Sequence, residues 1–587
     1  MKQMLEKQYD FVVVGGGLGG ICAAIAAARG GIRTALVHNR PVLGGNASSE
    51  MRMHICGADH HMSRAHARET GIVEELLLRH KYRNPENSYA IFDTILWEAC
   101  AFQENLTLYL NTYVYRARAA EGRIQSVSAL QTTTEKEYTF QAKIYIDATG
   151  DGSLGARAGA DFAVGREAAS VYGEAHGSDQ NDRCTMGNSI LFQACDRGRP
   201  VPFIKPAWAY SFSEEDLLCR EHREVTSGYW WIELGGGEQD TIRDGEVIRD
   251  ELIKTVYGVW DHIKNGGDHG AENLELMWMG MLPGKRESRR LLGDYVLTEE
   301  DCLSGARFDD VVAYGGWPLD LHTVEGFLRR DAPPNENLYT KDVYAIPYRC
   351  LYSRNVENLM LAGRAISCSH LAFASTRVMA TCGVAGQAVG TAAALAAAQN
   401  LSPRQMQEHM TSLQQALLKD DCYLPGLARQ DPEDCAPLAA AKASAWEAEC
   451  PPENVLRGPA RQVGEECNCW RAPGGAGQWI SLHWKLPVAV REIRIVFDSN
   501  LSREIMISLS DQVLSRQEKH PPSELARAYT LALLKEGAIV WEKRVRENDQ
   551  RLNALVLDAA VLCDQLRLTV EATYGAPCTT VYEIRVY

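Results

Sequence analysis

The chain has no Cys-x-x-Cys pair anywhere in its 587 residues, although it carries 17 cysteines. A dithiol relay and a ferredoxin-type iron–sulfur cluster therefore have no visible ligands. Cys467 and Cys469 form a Cys-x-Cys pair, but no His or Cys stands near them at zinc spacing. They are expected to be buried thiols, and no metal is expected. Positive charge is also short: 61 Lys and Arg against 76 Asp and Glu leave a net charge of -15. That balance argues against nucleic acid or an anionic membrane surface as a partner. The longest small apolar run, residues 378–398, is mostly Ala and Gly interrupted by Thr, Gln and Cys, which suits a packed helix better than a membrane span. Only nine residues precede the first strand, so no signal peptide is expected, and an odd number of cysteines then reads as reduced thiols in a cytoplasmic protein. Size alone calls for two to four domains.

What is present begins at Asp10. The apolar run Phe11–Val14 leads into Gly15-Gly-Gly17-Leu18-Gly19-Gly20 and then an alanine-rich stretch, which reads as a buried parallel strand, a tight turn and a helix. Gly15, Gly17 and Gly20 hold the dinucleotide-binding spacing. The first permits the turn, the second lets backbone approach a pyrophosphate, and the third lets helix and strand pack. A second strand, Thr34–His38, runs into Asn39, Arg40 and the loop Gly44-Gly45-Asn46-Ala47-Ser48. Two further glycine-ended strands follow, Ala142–Gly150 with Ala148-Thr149-Gly150 at its end, and Asn358–Arg364 with Gly363 before Arg364. Beyond them Arg377-Val378 opens an Ala/Gly-rich helix that carries Thr381 in its first turn.

These four segments, in this order, resemble the large flavoprotein group of glutathione reductase and fumarate reductase. The resemblance implies FAD, with Gly15, Gly17, Leu18, Gly19, Gly20, His38, Asn39, Arg40, Gly44, Gly45, Asn46, Ala47, Ser48, Val114, Ala148, Thr149, Gly150, Gly363, Arg364, Arg377, Val378 and Thr381 among its contacts. Such proteins usually end the second strand in a carboxylate that binds ribose hydroxyls; here His38 and Asn39 stand in that place. The helix after Arg377 is implied to aim its N-terminus at the flavin pyrimidine edge. The first histidine after Gly45 is His54, nine positions on, so FAD is expected to be dissociable rather than covalently held. With Gly284–Asp301 added, the chain is similar over roughly residues 8–400 to bacterial FAD-dependent oxidoreductases that are often mislabelled as xanthan lyases.

The expected fold is α/β: a Rossmann-like FAD-binding domain (1–160 and 341–400), an inserted α+β substrate domain (161–340), a helical connector (401–440) and a C-terminal antiparallel β-sandwich (441–587). Alternating apolar and polar residues in Gln478–Phe497 and Val581–Tyr587 carry the last assignment, and that segment resembles discoidin or galactose-binding-like domains. In the middle, Gly228–Gly237 reads as a strand with a glycine turn and no second nucleotide site, while Leu252, Val256, Val259, Trp260 and Ile263 share a helix face for core packing.

Oxidising an alcohol or amine needs a base for the X–H proton. His370, which follows the Ala-Gly-Arg strand, and His322, two residues from Asp320, are the main candidates; His54, then His60 and His61, come behind. Arg286, Arg289, Arg290, Arg349 and Arg377 offer a rival reading, a clamp for a carboxylate substrate, unless they are taken by ion pairs with Glu287, Asp294 or Glu299. The preferred function is hydride abstraction from a polar small molecule such as a sugar or glycoside hydroxyl carbon, with Arg286 among the catalytic residues. The alternatives are a flavoenzyme acting on a carboxylate and a carbohydrate-binding or scaffold protein with structural FAD. The electron acceptor stays open between oxygen, a quinone, a protein and a nicotinamide, and so does the oligomeric state, a homo-oligomer included.

Overall fold

The computed structural model describes residues 5–267 and 269–587. The chain forms two compact units, residues 1–60, 87–410 and 506–516 in the first and residues 61–86, 411–505 and 517–587 in the second. Residues 61–86, which fall inside the 1–160 stretch of the sequence assignment, thus group with the C-terminal part of the chain.

The first unit is built on a mixed sheet. Strand β1 (Leu5–Val14) lies between β2 (Thr34–Val37) and β6 (Lys136–Asp147), parallel to both, and β3 (Leu106–Tyr109) extends the parallel side beyond β2. The antiparallel strands β4 (Thr112–Ala120) and β5 (Arg123–Gln131) complete a meander into β6, whose final residues also take Leu359–Leu361 as a parallel neighbour. A continuous apolar run forms the inner half of β1 because both faces are covered, and Phe11, Val12 and Val13 are wholly buried. Two helices, α1 (Leu18–Arg29) and Met379–Gln399, cover one another there. Neither has a polar face, as expected of helices buried all round. Their backbones touch: a Cβ on Gly386 would lie 2.0 Å from the Gly19 carbonyl oxygen. Met379–Gln399 is the one described helix long and apolar enough to cross a membrane, and 83% of its apolar window is buried inside the protein.

The helix Gly245–Asn265 puts the expected face into a core, with Leu252, Val256, Val259, Trp260 and Ile263 at most 1% exposed. The strand expected over Gly228–Gly237 is mostly absent: only Glu233–Leu234 pairs, antiparallel to Asn188–Ser189. Tyr229 and Trp231 stack in that same core and bond the carbonyls of Glu224 and Glu221, so this stretch is held by side chains rather than by a ladder.

In the second unit a seven-stranded antiparallel, sandwich-like sheet contains two long strands, Gln478–Phe497 and Leu552–Thr573, whose pairing register shifts at bulges. Helix Ile72–Arg83 belongs to this unit. The expectation of uniformly reduced thiols needs correction. Cys450 and Cys467 form a disulfide, because the sheet's flanking loops bring their Cα atoms to 5.7 Å. Cys467 is therefore not a free partner of Cys469, which stays a buried thiol.

Candidate functional site

The turn after β1 leaves a cradle. Gly15 has φ +113°, and a Cβ there would meet the Ala148 oxygen at 2.1 Å, whereas a Cβ on Gly17 would meet nothing within 4 Å. Gly17 is the N-cap of α1; no side chain caps that helix and its first turn has no acidic residue, so amides and partial positive charge face open space. Gly44 closes over the turn through its N–H to the Gly16 carbonyl, and Asn46 donates to the Lys285 carbonyl, tying the Gly-Gly loop to the middle of the chain. Ala47 and Ser48 are buried beneath it. Opposite, Asp147 holds the Ala148-Thr149-Gly150 turn by accepting from the Thr149 amide and hydroxyl. Val114 is buried on β4. Arg364 stacks against Gly150 and donates to Asp151; burial alone would raise the Asp151 carboxyl, but Arg364 and Lys285 hold it below the usual range. The Arg364 and Arg377 Nε atoms are buried without hydrogen-bond partners among the described residues. The second covering helix, Met379–Gln399, starts at Val378 with neither side-chain cap nor acidic first turn, and Thr381 is buried in that turn.

A dinucleotide with an anionic pyrophosphate fits these features. Two of the expected contacts do not. His38 is buried with both ring nitrogens engaged, Nδ1 accepting from the Gly16 amide at 3.0 Å and Nε2 donating to the Val42 carbonyl at 3.1 Å. Burial, partly offset by the Val42 bond, lowers its pKa to about 4, so the neutral ring buttresses the turn instead of meeting a ribose hydroxyl. Arg40 is likewise taken by a two-point pair with Glu50. Asn39, the other residue expected at the ribose, is exposed.

Two histidine networks lie between this cradle and the middle segment. His322, on strand Leu319–His322, is wedged between Glu233 (Nδ1 to Oε2, 2.5 Å) and Asp320 (Nε2 to Oδ2, 3.0 Å). Arg377 donates to Asp320 at 2.7 Å, and Arg286 lies 3.4 Å from Glu233 while donating to Ser189 Oγ and the Trp230 carbonyl. Burial would raise both carboxyls. Arg286 and His322 nevertheless pull Glu233 down to about 2, and His322 and Arg377 hold Asp320 well below the usual range.

His370 starts the helix His370–Thr376. Its Nδ1 faces Glu287 Oε1 at 3.0 Å, while Nε2 has no hydrogen-bond partner among the described residues. Glu287, fully buried, also accepts from the Met186 amide and from Arg290, which reaches on to Glu167. Both networks open on one cavity of about 130 Å³, lined by His322, His370, Glu167, Glu174, His176 and Thr185 among others.

The arginines do not form a free clamp. Arg290 is paired with Glu287 and Glu167, Arg349 with Asp310, Arg377 with Asp320, and Arg289 donates to the Asp151 carbonyl. His54 bonds Ser508, and His60 packs on Trp317. His61 pairs with Glu504 in the second unit. Sequence reasoning missed Glu233 and Glu287 as the carboxylates that hold the histidines. Each is distant in sequence from its histidine, and only the Arg-Glu-Ser-Arg-Arg run hinted at Glu287.

A comparison with curated proteins gave no match. Similar solved structures include the family 32 carbohydrate-binding module of C. perfringens NanJ in complex with galactose (14% identity over 26% of this chain and 96% of that one, TM-score 0.19). The lectin domain of lectinolysin complexed with Lewis B antigen is 10% identical over 27% of this chain and 98% of that one, TM-score 0.21. A family 32 module from Streptococcus pneumoniae EndoD is 15% identical over 26% and 99%, TM-score 0.21. The family model described as FAD dependent oxidoreductase matches residues 10–417, more than half of the chain; the protein belongs to that family, and FAD is its cofactor.

Proposed function

We propose that this flavoenzyme oxidises a hydroxyl-bearing carbon of a small polar molecule, with His370 as the base. FAD, when bound, supplies the acceptor for the hydride. The residues of the chain do the rest. Glu287 fixes the His370 proton on Nδ1 and leaves the Nε2 lone pair to accept the hydroxyl proton. That unpartnered Nε2 on a carboxylate-held imidazole, beside a cavity, is the observation that carries the reading. His322 has no free nitrogen: Glu233, Asp320 and Arg377 occupy both sides of its ring. It and Arg286 hold the wall of the site and its charge balance. A sugar or glycoside is the donor class we favour, because the cavity lining is rich in hydrogen-bonding side chains and the C-terminal segment resembles sugar-binding domains in sequence.

The test is anaerobic bleaching of the bound flavin during titration with sugars, glycosides, hydroxy acids and amino acids. Bleaching by a sugar that is lost in His370→Ala supports the proposal. Bleaching only by hydroxy acids sinks the sugar preference, and bleaching only by amino acids, or by none of the donors, sinks the proposal.

A further inference from the structure

Four side chains of the first unit converge at a place that does not line the cavity above. Glu214 and His222 come from an irregular stretch, His262 from the last turn of Gly245–Asn265 and His269 from the loop after it. Their ligand atoms all lie within 4.8 Å of one another. Glu214 Oε1 is 3.3 Å from both His262 Nε2 and His269 Nε2, Glu214 Oε2 is 3.7 Å from His222 Nε2, and the His262 and His269 Nε2 atoms are 3.1 Å apart. The His262 side chain is 1% exposed, His269 12% and His222 13%; Glu214, at 62%, closes the outer side.

The tautomers of two of the rings suit a cation. His222 Nδ1 lies 2.6 Å from the Arg220 carbonyl and His262 Nδ1 3.2 Å from the Phe212 carbonyl. A carbonyl only accepts, so both Nδ1 atoms carry protons, and in the neutral rings both Nε2 atoms are lone pairs turned toward a carboxylate. One divalent ion at the centre satisfies all four groups. Outer carbonyls that fix the ring tautomer are what metal-bound histidines ordinarily have. Zinc–nitrogen bonds of about 2.0–2.1 Å in a tetrahedron place donors about 3.3 Å apart, close to the 3.1 and 3.3 Å separations among Glu214, His262 and His269 and shorter than the 3.7 Å between Glu214 and His222.

We propose that Glu214, His222, His262 and His269 bind a structural zinc ion. The four positions are filled by protein, as in closed sites that hold a fold together rather than catalyse. The ion pins the 214–222 stretch to the end of the Gly245–Asn265 helix. From that stretch buried Arg220 reaches the carbonyls of Gly326, Arg329 and Ala332, next to the hairpin of Leu319–His322 and Asn335–Leu338 that carries Asp320 and His322. The sequence led to no expectation of metal because the ligands come from separated stretches that no short motif links.

The test is elemental analysis of the purified, flavin-loaded protein after dialysis, followed by cobalt exchange. The expected result is about one zinc per chain, and with cobalt a visible tetrahedral band distinct from the flavin absorption. Both should fall by about tenfold or more in His269→Ala, whose partly exposed side chain can be removed with flavin content retained. His262→Ala should lose the metal as well, but its burial makes it the poorer variant. Full flavin with no metal retained and no cobalt band in the wild type overturns the proposal, as does His269→Ala that keeps both. Iron or nickel at the same ratio overturns the assignment to zinc.

Discussion

His322 and His370 are alike in sequence, each expected near the reacting carbon, but their ring nitrogens are engaged differently. Among the described residues His370 keeps one nitrogen free and His322 keeps none. Replacing His370 by Ala should lower the rate of flavin reduction by about 10²–10⁴, the usual range for a lost general base, with flavin content unchanged. Glu287→Gln, which keeps an acceptor for the Nδ1 proton but removes the negative charge, should lower it less than His370→Ala, which stopped-flow reduction would read. Glu233 sets an acid limit on stability. Its pKa falls from 4.5 in an ordinary setting to about 2 in the fold, so its stabilisation is present above pH 4.5 and is lost as pH falls toward 2. Unfolding free energies from denaturant titrations over that window should fall less steeply in Glu233→Gln, by on the order of 3 kcal/mol across the whole window. At this scale the sequence showed which residue types could act and which neighbours two apart could meet, as Asp320 and His322 do. Pairings across the fold, such as Glu287 with His370 or His38 with the Gly16 amide, depend on long-range packing that no local spacing records.

The strand–turn–helix element around Gly15 was legible because its chemistry is local: each glycine is required by an atom a few residues away or by the partner strand. The same logic separates two substitutions that look equivalent. Gly17→Ala adds a methyl into open space at a residue with ordinary backbone angles, so the flavin-free fold should keep the thermal midpoint of the flavin-free wild type while flavin content drops by about tenfold, because the methyl fills the phosphate cradle. Gly386→Ala drives a methyl into the Gly19 carbonyl at the crossing of two buried helices and should cost about 1–3 kcal/mol in denaturant unfolding. Equal losses of flavin and of stability in both variants would refute that separation. The short strand at Glu233–Leu234 was not legible, since Tyr229 and Trp231 follow the pull of a core assembled from distant segments.

Across the whole molecule, the assignment of successive domains along the chain sits beside two units that exchange segments. Residues 506–516 pack in the first unit, where Ser508 bonds His54 and Ser510 bonds Glu224. Residues 61–86 pack in the second, where the buried Arg68 guanidinium is held by Glu74 and by the carbonyls of Ser499 and Asn500. Composition and alternation identify what kind of element each stretch forms, but not which body a 26-residue stretch of the first hundred joins. A chain cut after residue 440 lacks the 506–516 segment and strands Arg68 and Glu74 without the acceptors of residues 499–500. Breaking a buried ionic network in this way costs about 3–5 kcal/mol, a large share of the stability of an ordinary domain. The 1–440 fragment should therefore be recovered insoluble or with little flavin, even though it contains every residue of the family match. Soluble 1–440 with full flavin content and the thermal midpoint of the intact chain would show that the exchanged segments are incidental to the first unit.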